Sequence, residues 1–270
     1  MLRFACSAQS HVGLVRDNNE DAGFAGPHLL LVADGVGGSA AGEVASATTA
    51  YVTSALVMVD REPDPMAVLA EAVRLSNEQL RIGAEKDPAR RGMSTTLVAL
   101  MTYRDRSALL NVGDSRAYLL RSGQLRRLTR DHTFIQDLID NGEITSDEAR
   151  THPFRTAVVN AINGSGTPEP DLVRFDDLQV GDRIMLCSDG LSDLVPDERL
   201  AAILGGEDPD EVTGALIGAA LDAGGRDNIT CIVADVEDGP EARTHGSPLG
   251  AMRDPYLIVD PAVVRPSPPA

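Results

Sequence analysis

The chain predicts an α+β domain built in layers, and three observations carry that prediction. Its strand-like runs come in groups rather than alternating one by one with helices, which disfavours a doubly wound parallel sheet. Most of those runs are continuously apolar, the pattern of sheets covered on both faces. Two long segments with apolar residues at helical spacing supply covering layers. The 270 residues, 43% of them hydrophobic, suffice for a sizeable core in one large domain or two small ones.

Runs at 28–33, 95–103, 108–112, 117–121, 182–187 and 229–236 are rich in β-branched and aliphatic residues and read as strands. The run 109–112 is expected to fold back on 118–120 as a hairpin, with a further turn at Arg121-Ser122-Gly123. Residues 42–59 and 64–85 read as the long helices, Pro65 being suited to a first turn. Shorter helices are expected at 134–141, 146–151, 197–203 and 208–223. Beyond Asp238 the composition turns Pro-rich and ends in RPSPPA. Residues 238–270 are therefore expected to form a flexible tail, in which the apolar patch YLIVDPAVV either docks back or binds a partner.

Composition excludes several functions. With 24 Lys+Arg against 41 Asp+Glu the formal charge is −17, which repels a phosphate backbone and argues against nucleic acid as a partner. No stretch approaches the roughly 20 apolar residues of a membrane span, and the N-terminus lacks a signal peptide's apolar region. Three widely spaced cysteines (Cys6, Cys187 and Cys231) suggest no disulfide framework and fit a reducing cytoplasm. Cys187, inside an apolar strand, reads as core packing rather than as a nucleophile. Aromatic residues make up only 3%, so stacking platforms for sugars or bases are not expected.

The acid is not scattered. Asp34 follows LLLVA and precedes Gly35; Asp114 follows LNVG; Asp189 follows IMLCS, with Asp193 close behind; Asp227 precedes NITCIV. A carboxylate at the mouth of a buried strand is partly desolvated and needs a cation or hydrogen bonds. A glycine beside it lets the backbone carbonyl turn inward as a further oxygen ligand. A lone Asp-Gly after a strand is equally a turn, and spacing alone leaves both readings standing. Converging carboxylates without a matching Lys describe a hard-cation site, Mg²⁺ or Mn²⁺, whereas His and Cys are too scattered for zinc. In Arg16-Asp17-Asn18-Asn19-Glu20-Asp21 the arginine is either one member of a surface ion cluster or, beside a metal site, a bidentate phosphate contact. The loop Gly35-Val36-Gly37-Gly38-Ser39 lacks the Gly-Lys-Ser/Thr of a nucleotide loop.

VRDNNED, LLLVADGVGG with AAGEVAS, GMSTTLVAL, NVGDSRAYLL, LTRDHT, LCSDGLSD and GGRDNITCIVADV occur in this order over residues 3–237. In that order they resemble the metal-dependent Ser/Thr protein phosphatases of type 2C, the PPM class, in its bacterial branch. The resemblance implies a four-layer αββα sandwich, two mainly antiparallel sheets flanked by helices, with a helical flap. It makes residues 1–237 the catalytic domain. It implies hydrolysis of phosphoserine and phosphothreonine in proteins by a water activated at a binuclear Mn²⁺ or Mg²⁺ centre, with a third, weaker ion in bacterial members and no covalent intermediate. Asp34 then matches the bridging carboxylate and Gly35 a carbonyl ligand, while Asp189 and Asp227 match ligands of the other ion. Asp114 matches a ligand of the third ion, with Asp189 shared and Asp193 and the backbone near Thr156 as supports. Glu20 and Asp21 match acidic groups that hold metal-bound water or stand behind it, and Arg16 matches the phosphate-binding arginine.

The segment 131–153 resembles the flap bordering the cleft, implying a role in substrate access; His132 and His152 flank it and stay outside the catalytic set. Ser39 stands where many bacterial relatives have His, so no acid is expected there. Residues 238–270 show no transmembrane helix of the kind some bacterial members carry, and the expected state is a cytoplasmic monomer acting on substrates of a cognate Ser/Thr kinase. Two other functions share the fold: a non-catalytic scaffold, which missing acidic ligands would favour, and a phosphatase acting on regulators of sigma factors.

Overall fold

The computed structural model describes residues 1–36, 41–59, 63–149, 152–240 and 246–264. Along the chain come β1 (Leu2–His11), β2 (Ala22–Ala25), β3 (Leu29–Ala33), β4 (Gly35–Val36), α1 (Gly42–Val59) and α2 (Pro65–Lys86). Then follow β5 (Ser94–Thr95), β6 (Leu97–Tyr103), β7 (Arg106–Val112), β8 (Arg116–Arg121), β9 (Gln124–Arg127), α3 (Phe134–Asp140), α4 (Ser146–Ala149) and β10 (Asp171–Arg174). The last elements are β11 (Arg183–Cys187), α5 (Asp189–Ser192), α6 (Asp197–Leu204), α7 (Pro209–Asp222), β12 (Ile229–Asp238) and β13 (Ser247–Gly250).

Continuous apolar strands arise because each serves two cores. Neighbours along a strand face opposite ways. In β3, Leu29, Leu31 and Ala33 join α1 and α2 in an outer cluster, whereas Leu30 and Val32 enter the cluster between the sheets. In β11, Ile184 and Leu186 face that inner cluster, and Met185 and Cys187 face α5, α6 and α7. The result is four layers: helices, the six-stranded sheet β10-β7-β6-β3-β2-β13, the five-stranded sheet β1-β12-β11-β8-β9, and helices again. Every described strand pair is antiparallel. The layered α+β expectation and the αββα sandwich are thus observed. Pro65 opens α2 behind Asp64, whose side chain accepts the Ala67 N–H at 3.3 Å.

Register then sets the position of the site. His11 pairs with Ile229 and Cys187 with Cys231 in one sheet, while Ala22 pairs with Ala33 and Leu97 with Val112 in the other. The end of β1, the end of β11 and the start of β12 therefore share one edge, as do the start of β2 and the ends of β3 and β7. All six strand termini lie at one end of the sandwich.

Three sequence expectations need correction. The run 109–112 forms no hairpin with 118–120: β7 pairs with β6 and β10, and β8 with β11 and β9. The polar link Gly113-Asp114-Ser115 carries the chain from one sheet to the other, and the real hairpin at Ser122-Gly123 joins β8 to β9. Second, β1, β2, β9 and β10 were not anticipated, since partly polar or very short segments lack a continuous apolar signal.

The third correction concerns the C-terminal segment. Ser247–Gly250 adds a sixth strand beside β2, Leu249 is buried in the inter-sheet cluster, and Ala251 enters the α1–α2 cluster. Within the apolar patch, the Val259 N–H bonds to the Thr48 hydroxyl at 3.1 Å, and the Tyr51 hydroxyl bonds to the Pro261 carbonyl at 2.6 Å. Residues 246–264 are thus a strap docked on the domain, anchored by a few apolar side chains that the Pro-rich composition obscures. The RPSPPA end, Gly37-Gly38-Ser39 and the last two residues of the helix expected at 146–151 lie outside the described residues.

Leu30 is fully buried between the sheets. Leu30→Ala should lower the unfolding free energy by about 2–5 kcal/mol, read from urea denaturation with an unchanged m-value.

Candidate metal and phosphate site

Backbone hydrogen bonds fix Asp34 and Asp189 at the mouth of the cleft. The Asp34 N–H donates to the Thr96 hydroxyl at 3.0 Å, and the Asp34 carbonyl accepts from the Thr95 hydroxyl at 2.8 Å and the Thr96 N–H at 2.9 Å. Thr96 Oγ1 lies 2.8 Å from Ser115 Oγ, tying the Asp34 loop to the one that carries Asp114. Gly35 is wedged against Glu20 and Gly42: a Cβ there would stand 2.5 Å from the Gly42 carbonyl oxygen and 2.7 Å from that of Glu20. Only glycine allows this approach. Asp189 opens α5, and its carbonyl accepts the Asp193 N–H at 2.8 Å, closing one turn that sets the two acids side by side.

Opposite them stands the loop from Val12 to Asp21. Asn228 clamps it: the amide donates to the carbonyls of Val12 (2.9 Å) and Asn18 (2.8 Å) and accepts the Glu20 N–H (2.7 Å). Asp21 is fully buried and accepts a 2.7 Å hydrogen bond from the Ser188 hydroxyl. Arg16 reaches across the cleft and donates to Asp227 at 2.8 Å.

Electrostatics show that the two sheet ends meet. Desolvation pushes Asp34 well above the usual carboxylate range, and Asp21, Asp189, Asp114 and Asp227 push it further. Asp189 is raised well above that range for the same reasons, burial first, then Asp114, Asp193, Asp227 and Asp21. Asp114 rises to about 7, through burial and then Asp131 and Asp193. Asp21 rises to about 6 through burial, against the hydroxyls of Thr230 and Ser188. Glu20 and Asp193 are raised chiefly by burial. The Arg16 guanidinium is raised above its ordinary value, its hydrogen bond to Asp227 being the largest cause.

The structure therefore brings Arg16, Glu20, Asp21, Asp34, Gly35, Asp114, Asp189, Asp193 and Asp227 into one cleft. Thr156 stands apart: it is exposed in the turn beyond Pro153, and its nearest link to the acids is the neighbouring Arg155, whose charge acts on Asp193. Sequence reasoning missed Thr96, Ser188 and Asn228, common polar types whose role appears only from their partners. It also missed Arg116, paired with the buried Asp131 at 2.7 Å beside Asp114. His132 is structural: its Nδ1 accepts the Gly113 N–H at 3.3 Å and its Nε2–H donates to Asp171 at 3.1 Å. His152 packs against the rings of Phe134, at the start of α3, and Phe154. Burial pushes the Cys187 thiol up to about 12, in keeping with a core role.

The donor set fits a hard dication: carboxylates and carbonyls whose mutual repulsion a positive charge would relieve, with no lysine among them. Among the described residues no three His, Cys, Asp or Glu side chains are already drawn into one chelate. Mg²⁺ is characteristically bound by one or two carboxylates while it keeps several waters, so a loose set of acids is compatible with it.

Residues 14–206 match the family model described as protein phosphatase 2C. The chain belongs to the protein phosphatase 2C family. Among its 2C relatives, the serine/threonine protein phosphatase PstP of Mycobacterium tuberculosis is 45% identical over 255 residues, covering 93% of this chain and 48% of PstP. The chain thus spans about half of that relative's length. The serine/threonine phosphatase stp of Listeria welshimeri is 34% identical over 237 residues, covering 83% of this chain and 92% of stp. A crystal structure of the catalytic domain of PstP in complex with two manganese ions superposes with a TM-score of 0.78 at 43% identity, covering 88% of this chain and all of that one. Among the described residues of this 2C member, no helix is long and apolar enough to cross a membrane.

The raised carboxyls give a signed prediction for the protein in chelator. A carboxyl whose folded value lies above its unfolded one stabilises the fold while protonated. That contribution is complete below pH about 4 and is lost as the pH climbs through about 6 for Asp21 and about 7 for Asp114. With EDTA present, Tm should fall between pH 5 and pH 8; a rising Tm would contradict the geometry.

Proposed function

We propose that this protein hydrolyses phosphoserine and phosphothreonine monoesters in proteins, using two Mn²⁺ or Mg²⁺ ions with a third, weaker site at Asp114. The observation that carries this reading is the acidic cleft itself, in which strand-end carboxylates from both sheets crowd together opposite the reaching Arg16. Family membership and the two manganese ions of the PstP catalytic domain support it.

Asp34, the Gly35 carbonyl, Asp189 and Asp227 would hold the two ions, and Asp114 with Asp189 and Asp193 the third, with the backbone near Thr156 as a further support. Glu20 and Asp21 would support this set and orient water at it. Bound ions supply Lewis acidity toward the phosphoryl oxygens and lower the pKa of a water. The chain's own part is binding and alignment. Arg16 presents a planar donor pair to the phosphate, exchanging its bond to Asp227 for one to the substrate. Asn228 and Thr96 fix the two loops whose spacing sets the line of attack, which suffices for phosphoryl transfer because catalysis there is chiefly positioning and charge stabilisation. No side chain is needed as a nucleophile, and Cys187 is unavailable for that role. Residues 131–153, with Phe134, His152 and Phe154 at the rim, govern access. We assign the domain boundary near 237, with the strap as an appendage. We also expect a cytoplasmic monomer opposing a Ser/Thr kinase.

Purified protein should hydrolyse p-nitrophenyl phosphate and a phosphothreonine peptide with Mn²⁺ and stop on addition of EDTA. Asp34→Asn and Asp189→Ala should each lose at least about 10²-fold in kcat/KM, a loss on the scale of removing charge stabilisation. Retained turnover in either would remove it from the site. Arg16→Ala should act mainly by raising KM, since it removes a phosphate contact.

A further inference from the structure

The docked strap touches the rear of the cleft. Gly250 pairs with Ala22, the residue after Asp21, and the Ala251 N–H donates to the Asp21 carbonyl at 2.8 Å. Gly250 takes φ 53°, ψ −135°, a conformation open in practice to glycine alone. A Cβ there would lie 2.1 Å from the Asp21 carbonyl oxygen and 3.0 Å from Ser10 Oγ. Ser10 Oγ lies 2.8 Å from Thr230 Oγ1 and accepts from the Asn19 side-chain amide, whose Oδ1 receives the Asp21 N–H at 3.1 Å. The Asp21 backbone is thus gripped on one side by its own loop and on the other by the strap, while its side chain is fixed by Ser188. The strap residues lie outside the stretch 14–206 that matches the family.

We propose that Gly250 and Ala251 are positioning residues for the metal centre: through the Asp21 backbone, the strap sets how tightly the cleft holds its cations. This rests on the reading of the cleft as a metal site. The strap is well built for the purpose. Leu249, in the inter-sheet core, anchors the contact with Asp21, while Val259, beside Gly83 and Thr48, anchors the far end of the strap. A shift of Asp21 would be felt by Asp34, because Asp21 is the charge that acts on it most.

The test is calorimetric titration of Mn²⁺ into the full chain, metal-free at the start. Gly250→Ala drives a methyl group into the Asp21 carbonyl. Ala251→Pro removes the donated N–H at the first position of a short 3₁₀ turn, where proline is tolerated. Both should bind Mn²⁺ about tenfold more weakly than the parent, the low end of what changes behind metal ligands cost. Val259→Ala, which loosens the strap away from Asp21, should lower Tm and leave Mn²⁺ affinity unchanged. Parent affinity in a folded Gly250→Ala or Ala251→Pro chain would overturn the proposal, as would an equal loss in Val259→Ala. Hydrogen exchange on the parent decides the matter even if the variants fail to fold. Because coupling is reciprocal, Mn²⁺ should slow exchange at Ala251 more than at the amides of α7, and an equal effect at both would overturn the proposal. If the parent itself takes up no Mn²⁺, it is the metal-site reading that falls.

Discussion

Carboxylates brought out of water at the ends of buried strands repel one another and have lost the solvent that would screen them. Each retained charge costs on the order of several kcal/mol unless a cation or a set of donors compensates it. In this cleft Arg16 bonds to Asp227, while Asp34, Asp114 and Asp189 repel one another. The rest of the structure can be understood as what is needed to impose that arrangement. The two sheets must stack so that six strand termini lie at one end, and the loops that carry the acids must be pinned so that they cannot swing away.

The pinning groups are neutral and mostly buried. Thr95 and Thr96 hold the Asp34 backbone, Asn228 holds the loop bearing Arg16 and Glu20, and Ser188 holds Asp21. Such groups fix position without cancelling charge, which leaves the cleft to be neutralised from outside. A phosphate could not enter the bare acidic cleft, because it carries a charge of about −1.5 to −2 itself. Bound cations would invert the local field, so that under the proposed function metal binding precedes substrate binding.

How much of this was legible depended on how each residue signals. Strands buried on both faces, such as Leu29–Ala33 and Arg183–Cys187, declare themselves by unbroken apolar runs. Asp34, Asp114, Asp189 and Asp227 were visible as acids where those runs stop, and the resemblance to the 2C phosphatases gave them roles. Edge and partly exposed strands did not declare themselves: LRFACSAQSH mixes polar and small residues, and QLRR is mainly charged. The link Gly113-Asp114-Ser115 looked like a hairpin turn because a crossover between stacked sheets uses the same residue types as a turn within one. The strap was hidden by its prolines, since three or four anchoring side chains carry no periodicity. Asn228, Thr96 and Ser188 were illegible for a different reason: their function is a set of partners, and partners are a property of the fold.

The central claim is that this acidic cleft is built to be neutralised by divalent cations. Groups such as Asp114, at about 7, and Asp21, at about 6, hold protons near neutral pH in the metal-free protein. Cations that bind there must displace those protons. The direct measurement is titration of Mn²⁺ into the metal-free protein at pH 6.5, by calorimetry in two buffers of different ionisation enthalpy. Binding accompanied by net proton release is the predicted result. Binding with no proton release, or no binding at all, would contradict the account.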